Sequence, residues 1–285
     1  MTPGTIARLM ADEAVRATDG RPTVGAHVPA APTPGPILFA RYAYAPNSLG
    51  YCGPADSRAL LEYAAGGTFD GGLRQLARSF EGAWPYLELI CRATGQPDPL
   101  DARVVEAYWL GNDLLGRVDF KVFGSSLMER FRRRAGSRWG YLAEQIPIGA
   151  APNHAFHVFG VYPWVGLLNG ERRDAPLAVL DRCRIRWGQV VSVDGDQVVV
   201  MSRPLGFDGR RLALGDQRLE TVTRSIDGVG LAGELLPGEW VSLHWHWVCD
   251  RLSRRQLANL RRHTLRQLEI SNELVSHPAA ATVMG

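Results

Sequence analysis

Val179-Leu-Asp-Arg-Cys183-Arg-Ile-Arg-Trp187-Gly188-Gln-Val190-Val-Ser-Val193-Asp194-Gly195-Asp196-Gln197-Val-Val-Val-Met-Ser202 is the stretch on which the architecture turns. β-branched and apolar residues run from Val179 to Val193, stop at Asp194-Gly195-Asp196, and resume over Gln197–Ser202. That pattern predicts a strand, a tight turn and a return strand. Further strand-like pieces follow at Arg210–Leu214, Leu219–Ile226 and Trp240–Val248. Several short strands so closely spaced predict a small antiparallel, OB-like β-barrel. Ser253 then caps a last helix, with Leu257, Leu260, Leu265 and Leu268 on an apolar stripe.

Upstream the periodicity is helical. Asp56-Ser57 opens a segment that stops at Gly66-Gly67, Asp70 caps a second, and Asp101 opens another carrying Val104, Val105 and Tyr108. Val122 to Ala135 is amphipathic and basic, with Arg130, Arg132, Arg133 and Arg134 reading as a solvated face. The fold class is therefore α+β: a mostly helical N-terminal domain, then a small barrel with a C-terminal helix. The expected divisions are a partly ordered lead-in over 1–36, a helical domain over 37–175, the barrel and its helix over 176–274, and a tail over 275–285.

The 285 residues carry 32 Lys+Arg against 29 Asp+Glu, a net charge of +3, and 46% are hydrophobic. A chain of that length buries a sizeable core without disulfides or metal staples. So even a charge balance predicts no nucleic-acid partner. No apolar run approaches the roughly 18 residues of a membrane span, and the N-terminus lacks a signal-peptide layout, so no membrane is expected and a cytoplasmic location is. There the four cysteines, none in a CxxC pair, are expected as free thiols.

Two constellations in the helical half bear chemistry. Cys52 sits among turn residues just ahead of a helix, where the positive end of the dipole would lower its pKa and favour thiolate. His154 and His157 lie three residues apart. On a helix they share a face, and on a strand they point apart. Cys52 with His154 or His157 would supply a nucleophile and a base, or metal ligands. An inert turn cysteine accounts for Cys52 equally well.

The C-terminal part resembles a known family. Cys183-Arg-Ile-Arg-Trp-Gly188-Gln-Val190, followed by a strand and Asp194-Gly195, is similar to the opening of the HypC/HupF hydrogenase assembly chaperones. Gly238-Glu-Trp240-Val241-Ser-Leu243-His244 is similar to a second segment of theirs, and Cys249-Asp-Arg-Leu252-Ser253 leads into a terminal helix in the same order. The likeness covers roughly residues 180–270. It implies a maturation or accessory factor of nickel–iron hydrogenase that carries an Fe(CN)2CO fragment or docks the large-subunit precursor. Cys183 and His244 stand at the positions of the family's metal-holding cysteine and histidine, and the implied partners are that precursor and a maturation scaffold protein. Three positions differ. Cys183 is internal, Trp187 replaces a proline, and Trp245-His246-Trp247 follows His244. If the strand continues, His246 shares a face with His244 and is a further or compensating ligand. The other reading is a cysteine-dependent enzyme built on Cys52, with the barrel only structural. Whether the chain is an enzyme stays open at this level.

Overall fold

A computed structural model describes residues 32–135, 145–162, 164–169 and 173–275, side chains at 130–135, 169 and 274–275 excepted. The expected lead-in up to residue 31, the tail from 276 and the side chains of Arg130 and Arg132 to Arg134 lie outside the described residues.

Helices α1 (Gly35–Ser48), α2 (Ser57–Gly66), α3 (Gly71–Arg78), α4 (Trp84–Thr94) and α5 (Ala102–Trp109) form the first part. A 3-10 turn, Asp113–Arg117, and α6 (Phe120–Ala135) follow. The caps are those the composition suggests. Asp56 accepts from the Ala59 N–H, Asp70 from Gly72, Asp101 from Arg103 and Asn112 from Leu114, each satisfying a donor that the first turn leaves over. α1 is buried nearly all round, from Ile37 to Asn47, as expected of a helix that runs through a core rather than over one. Gly35 lets it start hard against the next layer: a Cβ there would lie 1.9 Å from the Leu100 carbonyl oxygen.

A short helix α7 (His154–Phe156) runs on as a π-helical turn, His157–Val161. α8 (Asp174–Cys183) follows, so the strand expected from Val179 begins only at Arg186. A short apolar run does not distinguish strand from buried helix, and Asp174 with Pro176 in the first turn favours helix.

Nine strands come next: β1 (Arg186–Asp194), β2 (Gln197–Ser202), β3 (Leu205–Phe207), β4 (Leu212–Leu214), β5 (Arg218–Thr223), β6 (Ser225–Ile226), β7 (Val229–Gly230), β8 (Trp240–His244) and β9 (Trp247–Arg251). The β1–β2 hairpin turns at Gly195-Asp196, with Asp194 opposite Gln197. Five strands form a ring in the order β1-β2-β5-β9-β8. All its pairings are antiparallel except one, where Thr223 meets Trp247 in parallel. The ring encloses Val190, Val198, Val200, Val222, Val241, Leu243 and Val248. β3–β4 and β6–β7 are separate two-stranded ribbons. The C-terminal helix α9 (Arg254–Val275) opens on a capping box, in which the Gln256 N–H donates to Ser253 Oγ while Gln256 Oε1 accepts from the Ser253 N–H.

Contacts divide the chain into Met1–Pro32 and Thr33–Gly285. Within the latter, helices and strands share one core that includes Tyr42, Trp109, Trp187, Trp245 and Cys249. α1 is the bridge. Tyr42 Oη and Ser242 Oγ of β8 share a 2.8 Å hydrogen bond, and Arg41 pairs with Asp250 of β9 at 2.8 Å.

Trp240–Val248 reads in sequence as one strand but is two. Trp245 takes a left-handed conformation, φ 54°, and with His246 makes the turn between β8 and β9. Tertiary bonds hold that turn. The Trp245 N–H donates to the Arg182 carbonyl at 2.8 Å, and the Arg186 guanidinium donates to the Trp245 carbonyl at 2.6 Å. Arg186, with 4% of its side chain exposed, is neutralised by Glu220, which also accepts from Ser202. Removing one partner of a buried pair strands the other charge. Glu220→Leu is therefore expected to destabilise by about 3–5 kcal/mol, read as a lower denaturation midpoint at unchanged m-value; a loss below about 1 kcal/mol would rule out that buried-charge role.

Candidate metal centre

Three elements deliver three donors to one place. α7 brings His154, the last residue of α8 is Cys183, and the last residue of β8 is His244. One ring nitrogen from each histidine and the Cys183 sulfur all lie within 4.8 Å of one another. Bonds of roughly 2.0–2.3 Å place two donors of a tetrahedral metal roughly 3.3–3.8 Å apart, so displacements of about 1 Å complete the set. All three side chains are buried, His244 completely.

Both imidazoles are oriented by backbone carbonyls. His244 Nδ1–H donates to the Tyr42 carbonyl at 2.7 Å, which leaves the lone pair on Nε2, a buried atom without a partner among the described residues. His154 Nε2–H donates to the carbonyl of Cys183 at 2.8 Å, which leaves the lone pair on Nδ1, 3.5 Å from Tyr108 Oη. Fixing one nitrogen as donor and freeing the other is the way proteins present histidine to a metal. The rings stand nearly perpendicular with centroids 5.1 Å apart.

The triad forms part of the wall of a cavity of about 160 Å³. Cys52, His157, Tyr108, Trp109, Tyr162 and Trp245 also line it, and among the described residues no Asp, Glu, Lys or Arg does. Burial dominates the electrostatics. It lowers His154 to about 4, against the opposing hydrogen bond to Cys183, and His157 to about 3, with the neighbouring His154 adding to the effect. Burial takes His244 well below the ordinary imidazole value, so all three rings are neutral, the form that ligates. Burial likewise pushes the Cys183 thiol far up. Coordination would have to remove that proton, as metals do from bound thiols.

Each residue singled out from sequence has a place here. Cys183 and His244 meet. His154 and His157, whose helix-or-strand alternatives were open, are helical and line one cavity. His154, considered chiefly as a partner for Cys52, stands in the triad. Its signal was only an i, i+3 spacing, and nothing local pointed to Cys183. Cys52 lines the cavity but is not part of the triad. The dipole effect expected for it is absent, because the next helix starts at Ser57, and burial instead pushes its thiol up to about 12. His246 does not share a face with His244. The strand ends at His244, and His246 occupies the turn, exposed and outside the triad. Cys91 and Cys249 are buried and are not members of the triad, with Cys91 Sγ donating to the Gln96 carbonyl and Cys249 lying against the His244 backbone. Asn112 serves as the cap of the 3-10 turn.

A family model matches residues 31–278. The chain belongs to the DUF6390 family. That is a family of unknown function, and its matched region contains every residue of the cavity. No curated protein and no solved structure matches the chain. Among the described residues, no helix is long and apolar enough to cross a membrane.

Proposed function

We propose that this DUF6390 chain is an accessory factor of nickel–iron hydrogenase assembly that carries an Fe(CN)2CO-type fragment on Cys183, His244 and His154. The observation that carries the reading is the convergence of Cys183 and His244. They are 61 positions apart in sequence, were paired by their likeness to HypC/HupF positions, and lie within one 4.8 Å set. On this reading the five-stranded ring with its helix is the OB-like module of those chaperones. The helical layer supplies what they lack here, a third donor and an apolar roof. A thiolate and two imidazoles suit low-spin iron with strong-field diatomic ligands, and a cavity whose described lining carries no charged side chain suits a cargo that must leave again. The partners are the large-subunit precursor and a maturation scaffold, and a reducing cytoplasm suits four free thiols.

The enzyme reading has less behind it. Cys52 is in the cavity, but both nitrogens of His154 pair, with the Cys183 carbonyl and the Tyr108 hydroxyl, His157 Nδ1 pairs with the Tyr86 hydroxyl, and among the described residues no hydrogen bond joins Cys52 Sγ to either ring.

The test is isolation under anaerobic conditions from a hydrogenase-producing host that co-expresses the maturation set. The expected protein carries iron and shows infrared bands of bound CN and CO, and Cys183→Ala loses both. Wild-type protein free of iron and of those bands overturns the carrier role.

A further inference from the structure

A second cavity, of about 470 Å³, shares no lining residue with the metal centre. Trp187 of β1, Met201 of β2, Leu214 of β4, Trp240 of β8, and Arg261 and Leu265 of α9 build most of it. Side chains alternate along a strand. Val241 fills the ring, and a Cβ at Gly188 would meet Val200 inside it, so their neighbours Trp240 and Trp187 face outward, against Arg261 of α9. Arg261 and Leu265 are four apart and lie together on that helix. Apolar surface continues past the cavity: Leu265 is 46% exposed, and Leu219, opposite Met201 on β5, is 58% exposed.

The charge on the wall is one-sided. Arg203 and Arg261 line the cavity and, among the described residues, no Asp or Glu does. Glu220 accepts from Ser202 of the wall but is committed to Arg186. Arg203 spends Nε and Nη2 on the Gly215 and Leu214 carbonyls, which leaves Nη1. Arg261 is held by its faces. Its guanidinium carbon lies 4.8 Å from the Trp240 ring centre and 5.6 Å from that of Trp187. Arg184 also lies over Trp187, at 6.0 Å, but is neutralised by Asp181 at 2.8 Å. Arg261 has no ion pair and no hydrogen bond among the described residues. Stacking occupies the faces of a guanidinium and leaves its N–H edge, the fork that matches a carboxylate or a phosphate. A stack built only for stability accounts for the indoles. It does not account for a second arginine on the same wall with no acid between the two, since like charges repel.

We propose that this cavity binds a small organic oxyanion, a carboxylate or phosphate carried on an apolar body. Arg261 takes the oxyanion, Arg203 adds a second positive charge, and Trp187, Trp240, Leu214 and Leu265 receive the body. The volume is that of ordinary small-molecule sites, which combine apolar and aromatic walls with a few placed polar groups. The site stands apart from the metal reading and does not depend on it.

The experiment titrates full-length protein, as isolated, by calorimetry with hippurate, with phenyl phosphate and with hippuramide, the neutral amide of hippurate. Wild type is expected to bind at least one of the two anions with Kd below about 1 mM, and hippuramide at least about tenfold more weakly than hippurate or not at all. The tighter anion identifies the headgroup. Arg261→Gln is expected to weaken that anion by about tenfold or more, as loss of a hydrogen bond to a charged group does. Arg262→Gln, a change to the next and exposed residue of α9, is expected to leave affinity within about twofold. Wild type that takes up neither anion at about 10 mM overturns the site. So does equal affinity for an anion in Arg261→Gln and Arg262→Gln. Should Arg261→Gln not fold, the wild-type titrations decide alone, because a wild type that binds hippuramide as tightly as either anion does not use its arginines for recognition, and that result also overturns the proposal.

Discussion

In protein carrying His154→Gln, affinity for Co(II) falls by at least about 100-fold, as far as in Cys183→Ala, while His246→Gln leaves it unchanged. Outer-shell partners of metal ligands are themselves worth about 10–100-fold, so loss of a donor atom exceeds that range. His154 is the informative position because it lies outside the segment that resembles the hydrogenase chaperones. A site built on that segment alone would need only Cys183 and His244, and His154→Gln would then cost little. The geometry says otherwise. His154 donates to the carbonyl of Cys183 itself, so it both offers a donor and orients the residue that carries the sulfur. His246 is the control, a histidine two residues from His244, exposed on the β8–β9 turn. Equilibrium dialysis with optical detection of the thiolate band reads all three. Cys183→Ala removes one small buried thiol, and an unchanged unfolding midpoint of the metal-free variant separates loss of a ligand from loss of fold. Retention of wild-type affinity in His154→Gln would reduce the centre to a two-residue site and remove the helical half from the metal's coordination.

What sequence made legible here was local. Alternating valines around Asp194-Gly195-Asp196 produce the β1–β2 hairpin, because the turn and the inward-facing valines Val190, Val198 and Val200 impose one register. Asp70, Asp101 and Ser253 cap helices through bonds that span two or three residues. Pairing Cys183 with His244 came from a likeness, and the fold does bring them together. What stayed hidden was set by contacts distant along the chain. Trp245 has no glycine or asparagine to announce a turn. The Arg182 carbonyl and the Arg186 guanidinium impose it, and with it goes the expectation for His246. The stretch over Val179–Cys183 is helical because it packs in the shared core, and its apolar residues alone carried no period long enough to say so. Joining His154 to the triad depends on α7 meeting the end of α8, a meeting no spacing along the chain encodes.

Acid unfolds the metal-free protein well before its carboxylates titrate. His154, His157 and His244 are buried and neutral in the fold, with His154 lowered to about 4 and His157 to about 3 from the ordinary value of 6.5. Below pH 6.5 the unfolded chain takes up protons that the native state refuses, so stability falls with pH. It is complete above the unfolded value and is lost progressively from there down toward pH 4, where His154 begins to titrate in place. Each such group contributes a slope of about 1.4 kcal/mol per pH unit, so the three cavity imidazoles contribute about 4 kcal/mol per unit at the steepest, and burial lowers His263, to about 4, and His246 in the same direction. One buried carboxyl acts the other way. Desolvation raises Asp250 despite its Arg41 partner, so the native state binds that proton more readily and gains as pH falls. Five imidazoles against one carboxyl leave a net loss. Against a total stability of about 5–15 kcal/mol for a typical domain, the metal-free fold is expected to fail near pH 5. Denaturant midpoints at pH 7.5, 6 and 5 should decline steadily, and His157→Gln should remove one group's share of the slope, about 1.4 kcal/mol per pH unit, since His157 stands outside the triad and one titrating group goes with it. Bound Co(II) should raise the midpoints most at pH 7.5 and steepen the decline, because the coordinated state has also given up the Cys183 proton that the unfolded chain takes back, until protons displace the metal. A midpoint that does not change between pH 7.5 and 5 in the metal-free protein would mean that these rings are charged, or open to water, in the folded state. The tautomers that aim them at a metal would then be wrong.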